Sequence, residues 1–449
     1  MTCSPTFRVV WSGQLLAQLG SGLTSFSLSV WTYQRTGSVT QFALLTFSGA
    51  LPGILLSPLA GVAADRRDRR WILLLCDGCS ALCALLMAML LVTGRPQLWL
   101  LCMIVALNSA ISAFRMTAYS AALPQMVPRE QLPRANGMTE LARSVVFVAS
   151  PLLANALVGL VHIQGVLLLE MAAFLLSGLA LLSVRFAGPE HLEARAAERG
   201  ALLREGAYGW RYITARSGLL GLLLLYAAVN FAFACAEVLM PPLLLKLATP
   251  AALGKVMASG GVGLVVGGFA AAGWRGPARR VRAILGCGLL LGLSLVMTGM
   301  GSSLPYLMVA SFMTMLWVPP IAAWSRAVWQ LKVAPEVQGR VFATRTAVAS
   351  FTMPLAYLSM GPLADRVFEP LMAQGGPLAR SLGPLLGTGP GQGLRLMFVV
   401  VGLIPVLASL GGVLHPRVRR VERELPDALP GPWTSSPASR REEQGRAER

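Results

Sequence analysis

Two carboxylates, Glu170 and Glu237, lie inside long apolar stretches with no charged residue near them in the sequence. A charge at the centre of a membrane-spanning helix costs about 2.5–3.5 kcal/mol, so each of these side chains needs a reason to be there. A carboxyl group in such a place can take up and release a proton or contact a polar substrate. For Glu237, which is closer to a helix end, the alternative is a side chain that reaches the membrane interface. We therefore expect proton coupling at Glu170 and Glu237.

A second set of ionisable residues maps to one end of the predicted helices. Glu140 and Arg143 are three residues apart, a spacing that lets two side chains on one helix pair. We expect a network of charges that joins helix ends and latches a gate. Its predicted members are Asp77, Arg115, Glu140, Arg143, Arg326 and Arg340.

Residues 61–70 form a compact charged turn between two apolar runs. Four of its last five residues are arginines, which cannot lie in hydrocarbon, so the turn is a short aqueous loop. We expect this turn to control gating. The residues that carry this prediction are Gly61, Asp65, Arg66, Arg69 and Arg70.

Polar residues also recur on one face of the first predicted helix. Gln14, Gln18, Ser21, Ser25 and Ser29 follow one another at spacings of four, three, four and four. Small polar residues also let membrane helices pack closely, but unpaired glutamine amides in hydrocarbon are costly, which favours a face lining a wet cavity. The predicted substrate cavity contains Gln14, Gln18, Ser25, Asn108, Tyr226 and Asn230.

The elements that position these residues are helices in a membrane. Hydrophobic residues make up 55% of the 449 residues and charged residues 13%, which excludes an ordinary soluble domain. About twelve apolar runs are long enough to span a bilayer, from residues 9–33 to residues 396–414. We expect an all-α membrane protein.

The distribution of charge predicts the orientation of these helices. On the side of the arginine-rich turn lie 28 of the 38 lysines and arginines, against 7 on the other side. This bias predicts that both termini are cytoplasmic and that the protein lies in the inner membrane of the cell. It also explains the net charge of +18 without nucleic acid.

The seven cysteines predict neither disulfides nor a metal site. Six fall inside apolar runs, and Cys76 and Cys79, although separated by only two residues as in many metal sites, have no histidine near them. No phosphate-binding loop or nucleophile turn is present in the sequence, so we expect no cofactor and no enzyme activity.

Two pairs of similar segments indicate a duplicated architecture. Residues 268–272 resemble residues 61–65 at an offset of 207, and the segment around Arg340 resembles that around Arg134 at an offset of 206. We expect two pseudo-symmetric six-helix halves, with the substrate between them. The predicted divisions are residues 1–187 for the first half, 188–216 for a cytoplasmic linker with an amphipathic helix, 217–415 for the second half and 416–449 for a disordered tail.

The arginine-rich turn resembles the signature of the major facilitator superfamily, Gly-x-x-x-Asp-Arg-x-Gly-Arg-Arg/Lys. It departs at Asp68, where the second glycine usually stands, and in this form it resembles the branch of enterobactin-type siderophore exporters and macrolide efflux proteins. Residues 338–342, 361–365 and 387–393 resemble the same branch, and Ser150-Pro151 resembles a degenerate antiporter motif. The resemblance implies a monomeric exporter of a small amphipathic, siderophore-like or macrolide-like compound, driven by proton entry.

Two other functions fit the same residues. One is a proton-coupled importer of a small solute, and the other is a membrane scaffold or sensor that transports nothing. A cavity lined by polar side chains favours transport, whereas a core packed shut favours the scaffold.

Overall fold

In the computed structural model, the described residues are 4–93, 97–128, 131–184, 208–247, 250–273, 277 and 279–425. The long elements in this part of the chain are eleven helices. Their bounds are α1 Pro5–Thr36, α2 Val39–Arg66, α3 Arg69–Val92, α4 Leu98–Met126, α5 Leu132–Leu182, α6 Ser217–Leu247, α7 Pro250–Gly273, α8 Arg280–Met300, α9 Leu304–Lys332, α10 Pro335–Leu363 and α11 Gln392–Leu414.

These helices supply twelve crossings of a membrane. Eleven segments are long and apolar enough to span, and two of them belong to α5, which bends at His162 with φ 58° and ψ 176°. The twelfth is α1, which has 32 residues but is too polar to be recognised by hydropathy alone. The predicted all-α membrane fold is therefore confirmed.

The crossings form two halves, and apolar clusters pack within each of them, the larger of which also takes in Tyr33, Val39, Phe42 and Ala43 of the first half. In the first half Phe7, Leu73, Tyr119 and Leu181 pack together from α1, α3, α4 and α5. In the second half Leu219, Leu285, Trp329 and Phe398 do the same from α6, α8, α9 and α11. Helices α4 and α9 have 29 residues each and begin 206 residues apart, at Leu98 and Leu304, which agrees with the duplication expected from the sequence.

The arginine-rich turn defines one end of the bundle, which we call the basic end. Arg69 Nη1 donates to the carbonyl oxygen of Ala121 in α4 at 2.7 Å, and Arg70 Nη2 donates to that of Leu182 in α5 at 2.9 Å. Cations are favourable where helix carbonyls lack partners, so the turn ties three helix ends together. Asp68 accepts from the Arg70 backbone N–H at 2.9 Å and caps α3, which gives a physical reason for the carboxylate at this position.

The opposite end, which carries the turn between α1 and α2 at Gly37, is called the far end. Here a loop between α10 and α11 is partly helical, at Glu369–Met372 and Ala379–Leu386. Arg395 is buried beneath it and donates to the carbonyl oxygens of Gly299 at 2.9 Å and Met300 at 2.6 Å. The long loop is therefore a folded cap.

The linker and the tail also contribute to the basic end. Residues 208–214 of the predicted linker are helical and place Gly209 against Thr344 of α10, while residues 185–207 lie outside the described part. The expectation of disorder from residue 416 differs from the structure for residues 416–425. Val418 and Val421 are buried against α6, because the apolar side chains of two short helices fill the space beside Gly218 and Gly221.

Candidate functional site: a cavity between the two halves

A central cavity of about 610 Å³ lies between the halves. Most of its wall is apolar, with side chains such as Phe26, Met87, Phe147 and Met257. Polar groups are few and come from both halves. Ligand sites typically have this size and this mixture of apolar wall and isolated polar groups.

Glu237 presents its carboxylate to this cavity. Its side chain is exposed, yet it lies among the residues that line the cavity, so the space it meets is internal. The hydroxyl of Tyr357, from α10, donates to Glu237 Oε2 at 2.6 Å. Glu237 therefore faces the cavity, where its carboxylate can meet a molecule.

Glu170 lies on the opposite wall and is almost completely buried, with 1% of its surface exposed. The hydroxyls of Ser21 and Thr24, which line the same cavity, lie beside its carboxylate, although none of these groups makes a hydrogen bond of ordinary geometry in the described structure. Gly20 allows this approach, since a Cβ atom there would lie 3.1 Å from the Cα atom of Glu170. A buried carboxylate is costly unless it is protonated or bound.

Asp77 and Arg115 form the part of the predicted charge network that the structure brings together. Arg115 Nη1 lies 3.8 Å from Asp77 Oδ1, and both side chains are buried. Asp77 Oδ2 accepts from Gln14 Nε2 at 3.2 Å and from Ser177 Oγ at 2.7 Å. The guanidinium of Arg115 also lies over the ring of Phe174, 4.7 Å from its centroid.

The other predicted members of the network lie apart. Arg143 lines the central cavity, Arg326 lines a second cavity within the second half, and Arg340 stacks over Tyr208, 5.5 Å from the ring centroid. The side chain of Glu140 is outside the described residues. The described part of the structure therefore shows no single network that joins all six residues.

The residues predicted to line the substrate cavity divide into three groups. Ser25 and Asn108 line the central cavity, as expected. Tyr226 and Asn230 line the second cavity instead, because the face of α6 that carries them turns toward α9 and α10. Gln14 lines neither of the two cavities. It is buried, and its amide donates hydrogen bonds to Asp77 of α3 and Ser177 of α5.

Gln18 completes this comparison. It is half-buried and lines neither of the two cavities described. Its neighbours Ser21 and Ser29 do line the central cavity. Of the predicted gating residues, the side chains of Asp65 and Arg66 lie outside the described part, and Gly61 has open space around its Cα atom.

Asp365 closes the far end and was not predicted as a functional residue. Its carboxylate accepts from Ser38 Oγ at 2.7 Å, from the backbone N–H of Val39 at 3.1 Å and from that of Thr40 at 2.8 Å. A residue of the second half thus caps α2 of the first half. Gly361, one turn earlier, permits the contact, since a Cβ atom there would lie 2.6 Å from the Cα atom of Thr40. The sequence signal was the acidic residue in a segment that resembled the exporter branch.

Two repeated halves of membrane-spanning helices, with a cavity between them, are the architecture typical of membrane transporters. The chain belongs to the Major Facilitator Superfamily, whose profile matches residues 10–357.

Its relatives include efflux proteins. It is 23% identical over 365 residues to macrolide efflux protein A of Streptococcus pyogenes, covering 80% of this chain and 90% of that protein. It is 28% identical over 372 residues to the multidrug efflux pump Tap of Mycobacterium tuberculosis, covering 80% of this chain and 87% of that protein.

Solved structures share its fold at low sequence identity. A bacterial homologue of the human lysosomal transporter Spinster, in an inward-facing and unoccupied conformation, matches with a TM-score of 0.69 and 16% identity, covering 90% of this chain and 96% of that chain. The nucleoside transporter NupG matches with a TM-score of 0.63 and 13% identity, covering 92% of this chain and 100% of that chain.

Proposed function

We propose that the protein is a proton-coupled exporter of a small amphipathic compound and works by alternating access. The observation that carries this proposal is the central cavity, whose apolar wall contains Glu237 from one half and Glu170 from the other. An apolar wall suits the body of a macrolide-like or siderophore-like molecule, and a carboxylate on either side suits its polar groups. The names of the efflux relatives support the direction of transport.

Closure at the far end supports alternating access. In the part of the chain that is described, hydrogen bonds between the two halves gather at Asp365, and Gly261 of α7 packs against Val148 of α5. With the termini in the cytoplasm, as the distribution of lysine and arginine predicts, this is a state closed to the outside. Rocking of the two halves about the cavity then converts this state into one that is open to the outside and closed to the cytoplasm.

Glu170 and Glu237 are our candidates for proton coupling. The carboxylate of Glu170 is buried, with the hydroxyls of Ser21 and Thr24 beside it, so protonation removes a buried charge. Glu237 meets the cavity directly and is held by Tyr357. A proton loaded from the outside and released inside can therefore be exchanged for substrate at one cavity.

Accumulation of a radiolabelled macrolide in cells with and without the protein tests this proposal. We expect the protein to lower accumulation several-fold and an uncoupler to abolish the difference. Equal accumulation with and without the protein would count against export of this compound. A difference that survives the uncoupler would exclude coupling to the proton gradient.

An importer of a small solute is the alternative that the same cavity permits, and it predicts higher accumulation in cells that contain the protein. A scaffold or sensor predicts no change for any solute. The open cavity supports transport over the scaffold, because a purely structural bundle has no need to keep this volume unfilled. We place the protein in the inner membrane as a monomer.

A further inference from the structure

A second cavity of about 620 Å³ lies within the second half, between α6, α9 and α10. Its wall contains Tyr226 and Asn230 of α6, Arg326 and Gln330 of α9, and residues between 338 and 353 of α10. It shares no lining residue with the central cavity. The transport proposal gives this space no role.

Two guanidinium groups face this cavity, and none of its described lining residues is acidic. Arg326 is exposed, whereas Arg345 is only 7% exposed and lies over the rings of Tyr226, at 4.5 Å, and Trp329, at 5.5 Å. Arg345 Nη2 donates to Ser325 Oγ at 3.1 Å, but its Nε has no hydrogen-bond partner in the described structure. A buried cation without a counter-ion is unfavourable, so this arrangement suits an anion.

The first half has no counterpart of these two charges. The offset of 206 residues that relates α4 to α9 places Ser120 opposite Arg326. The same offset, which also relates the segments around Arg134 and Arg340, places Thr139 opposite Arg345. Both equivalents are neutral, so the pair of arginines belongs to the second half alone.

We propose that this cavity binds a phosphate or phosphodiester group, with Arg326 at the rim and Arg345 at its buried wall. The planar guanidinium presents several N–H donors in a geometry that matches phosphate oxygens, and both Arg326 and Arg345 line the cavity. The side chains of Phe342 and Met353 add an apolar surface that can contact the rest of the molecule that carries the phosphate group. The carrier is an anionic lipid headgroup or a soluble phosphate, since basic pockets between helices on the cytoplasmic side take either. This inference is independent of the transport proposal.

Binding to the purified full chain in neutral detergent tests the inference. One arm uses radiolabelled inorganic phosphate and the other uses radiolabelled phosphatidylglycerol, with phosphatidylcholine as the neutral comparison. We expect at least one anionic probe to bind, and Arg326→Gln to weaken that binding by about tenfold, as loss of a charge-assisted hydrogen bond does. Arg282→Gln, at an exposed arginine of α8 at the same end, is the matched control and should bind like the wild type.

The two arms also identify the source of the group. Binding of phosphatidylglycerol that phosphate does not displace assigns a lipid headgroup, and saturable phosphate binding assigns a soluble ligand. Arg345→Gln should weaken the same probe, and Arg326→Gln, at an exposed position, keeps the test valid if the buried variant misfolds. The inference is overturned if neither probe binds, if both phospholipids bind equally, or if Arg326→Gln binds the anionic probe as tightly as the wild type.

Discussion

Asp77 and Glu170 are both buried carboxylates of the first half, yet their surroundings differ. Asp77 accepts hydrogen bonds from Gln14 and Ser177 and lies beside Arg115, so its negative charge is compensated. Glu170 lines the cavity, where the hydroxyls of Ser21 and Thr24 lie beside its carboxylate and no ion pair holds it among the described residues. The first arrangement is suited to holding helices together, and the second to a change of protonation.

Replacement of Arg115 tests the structural role of its pair with Asp77. Arg115→Gln leaves a buried carboxylate without its cation, so we expect a loss of about 3 kcal/mol in the free energy of unfolding. Thermal unfolding in detergent measures the change. Arg67→Gln, at an exposed arginine of the adjacent turn, should leave the unfolding temperature unchanged. Arg115→Gln with wild-type stability would show that the pair contributes nothing.

Single residues also show where sequence patterns reach their limit. The spacing of Gln14, Ser21 and Ser29 fixes a shared helix face, but not what that face meets at each depth. At Gln14 the face meets Asp77 and Ser177, whereas at Ser21 and Ser29 it meets the cavity. Arg345 was counted only among charges of the basic end, because its burial depends on Tyr226 and Trp329 from helices distant in the sequence.

At the scale of elements, α2 connects the two ends of the bundle. Its first turn is capped by Asp365 of the other half, and its last six residues, 61–66, are the first part of the arginine-rich turn predicted over residues 61–70. Movement of α2 therefore couples the far end to the basic end. The helices themselves were predictable from apolar length, but the cap at Asp365 was not, since it joins residues more than 320 positions apart.

Asp365→Ala should loosen the far end. Without its carboxylate, the N–H groups of Val39 and Thr40 lose their acceptor, so we expect faster hydrogen exchange in peptides that cover the start of α2. Hydrogen-exchange mass spectrometry measures this. Asp68→Ala removes the cap of α3 at the basic end and should leave the start of α2 unchanged. Unaltered exchange in Asp365→Ala would mean that the cap does not hold the far end closed.

The arginine-rich turn carries a separate prediction. We expect Asp65→Asn to lower transport by about tenfold, equivalent to about 1.4 kcal/mol, while substrate binding to the solubilised protein stays nearly intact, because the turn acts on conformational exchange. Initial transport rates and equilibrium binding of a radiolabelled macrolide give the two quantities. Lost binding with normal conformational exchange would place the turn in the substrate site instead.

For the whole molecule, composition and the length of the apolar runs predicted the all-helical membrane fold, and the two pairs of similar segments predicted its duplication. Helix α1 was predicted as the first span, at residues 9–33, although it is not among the segments that stand out by length and hydropathy. The folded cap over Arg395 was beyond prediction, because it depends on packing between distant segments. The same limit applies to the division of polar residues between two cavities.

The central claim is that uptake and release of a proton by Glu170 or Glu237 drives export of a substrate from the central cavity. This cavity opens in turn to each side of the membrane. Proteoliposomes with an imposed pH gradient test this claim most directly, with a radiolabelled macrolide as substrate. The wild type should accumulate the compound against its gradient. Glu170→Gln or Glu237→Gln should abolish this uphill movement while downhill equilibration continues, since a permanently neutral site can still alternate but cannot respond to the proton gradient. Uphill transport by both variants at the wild-type rate would contradict the claim.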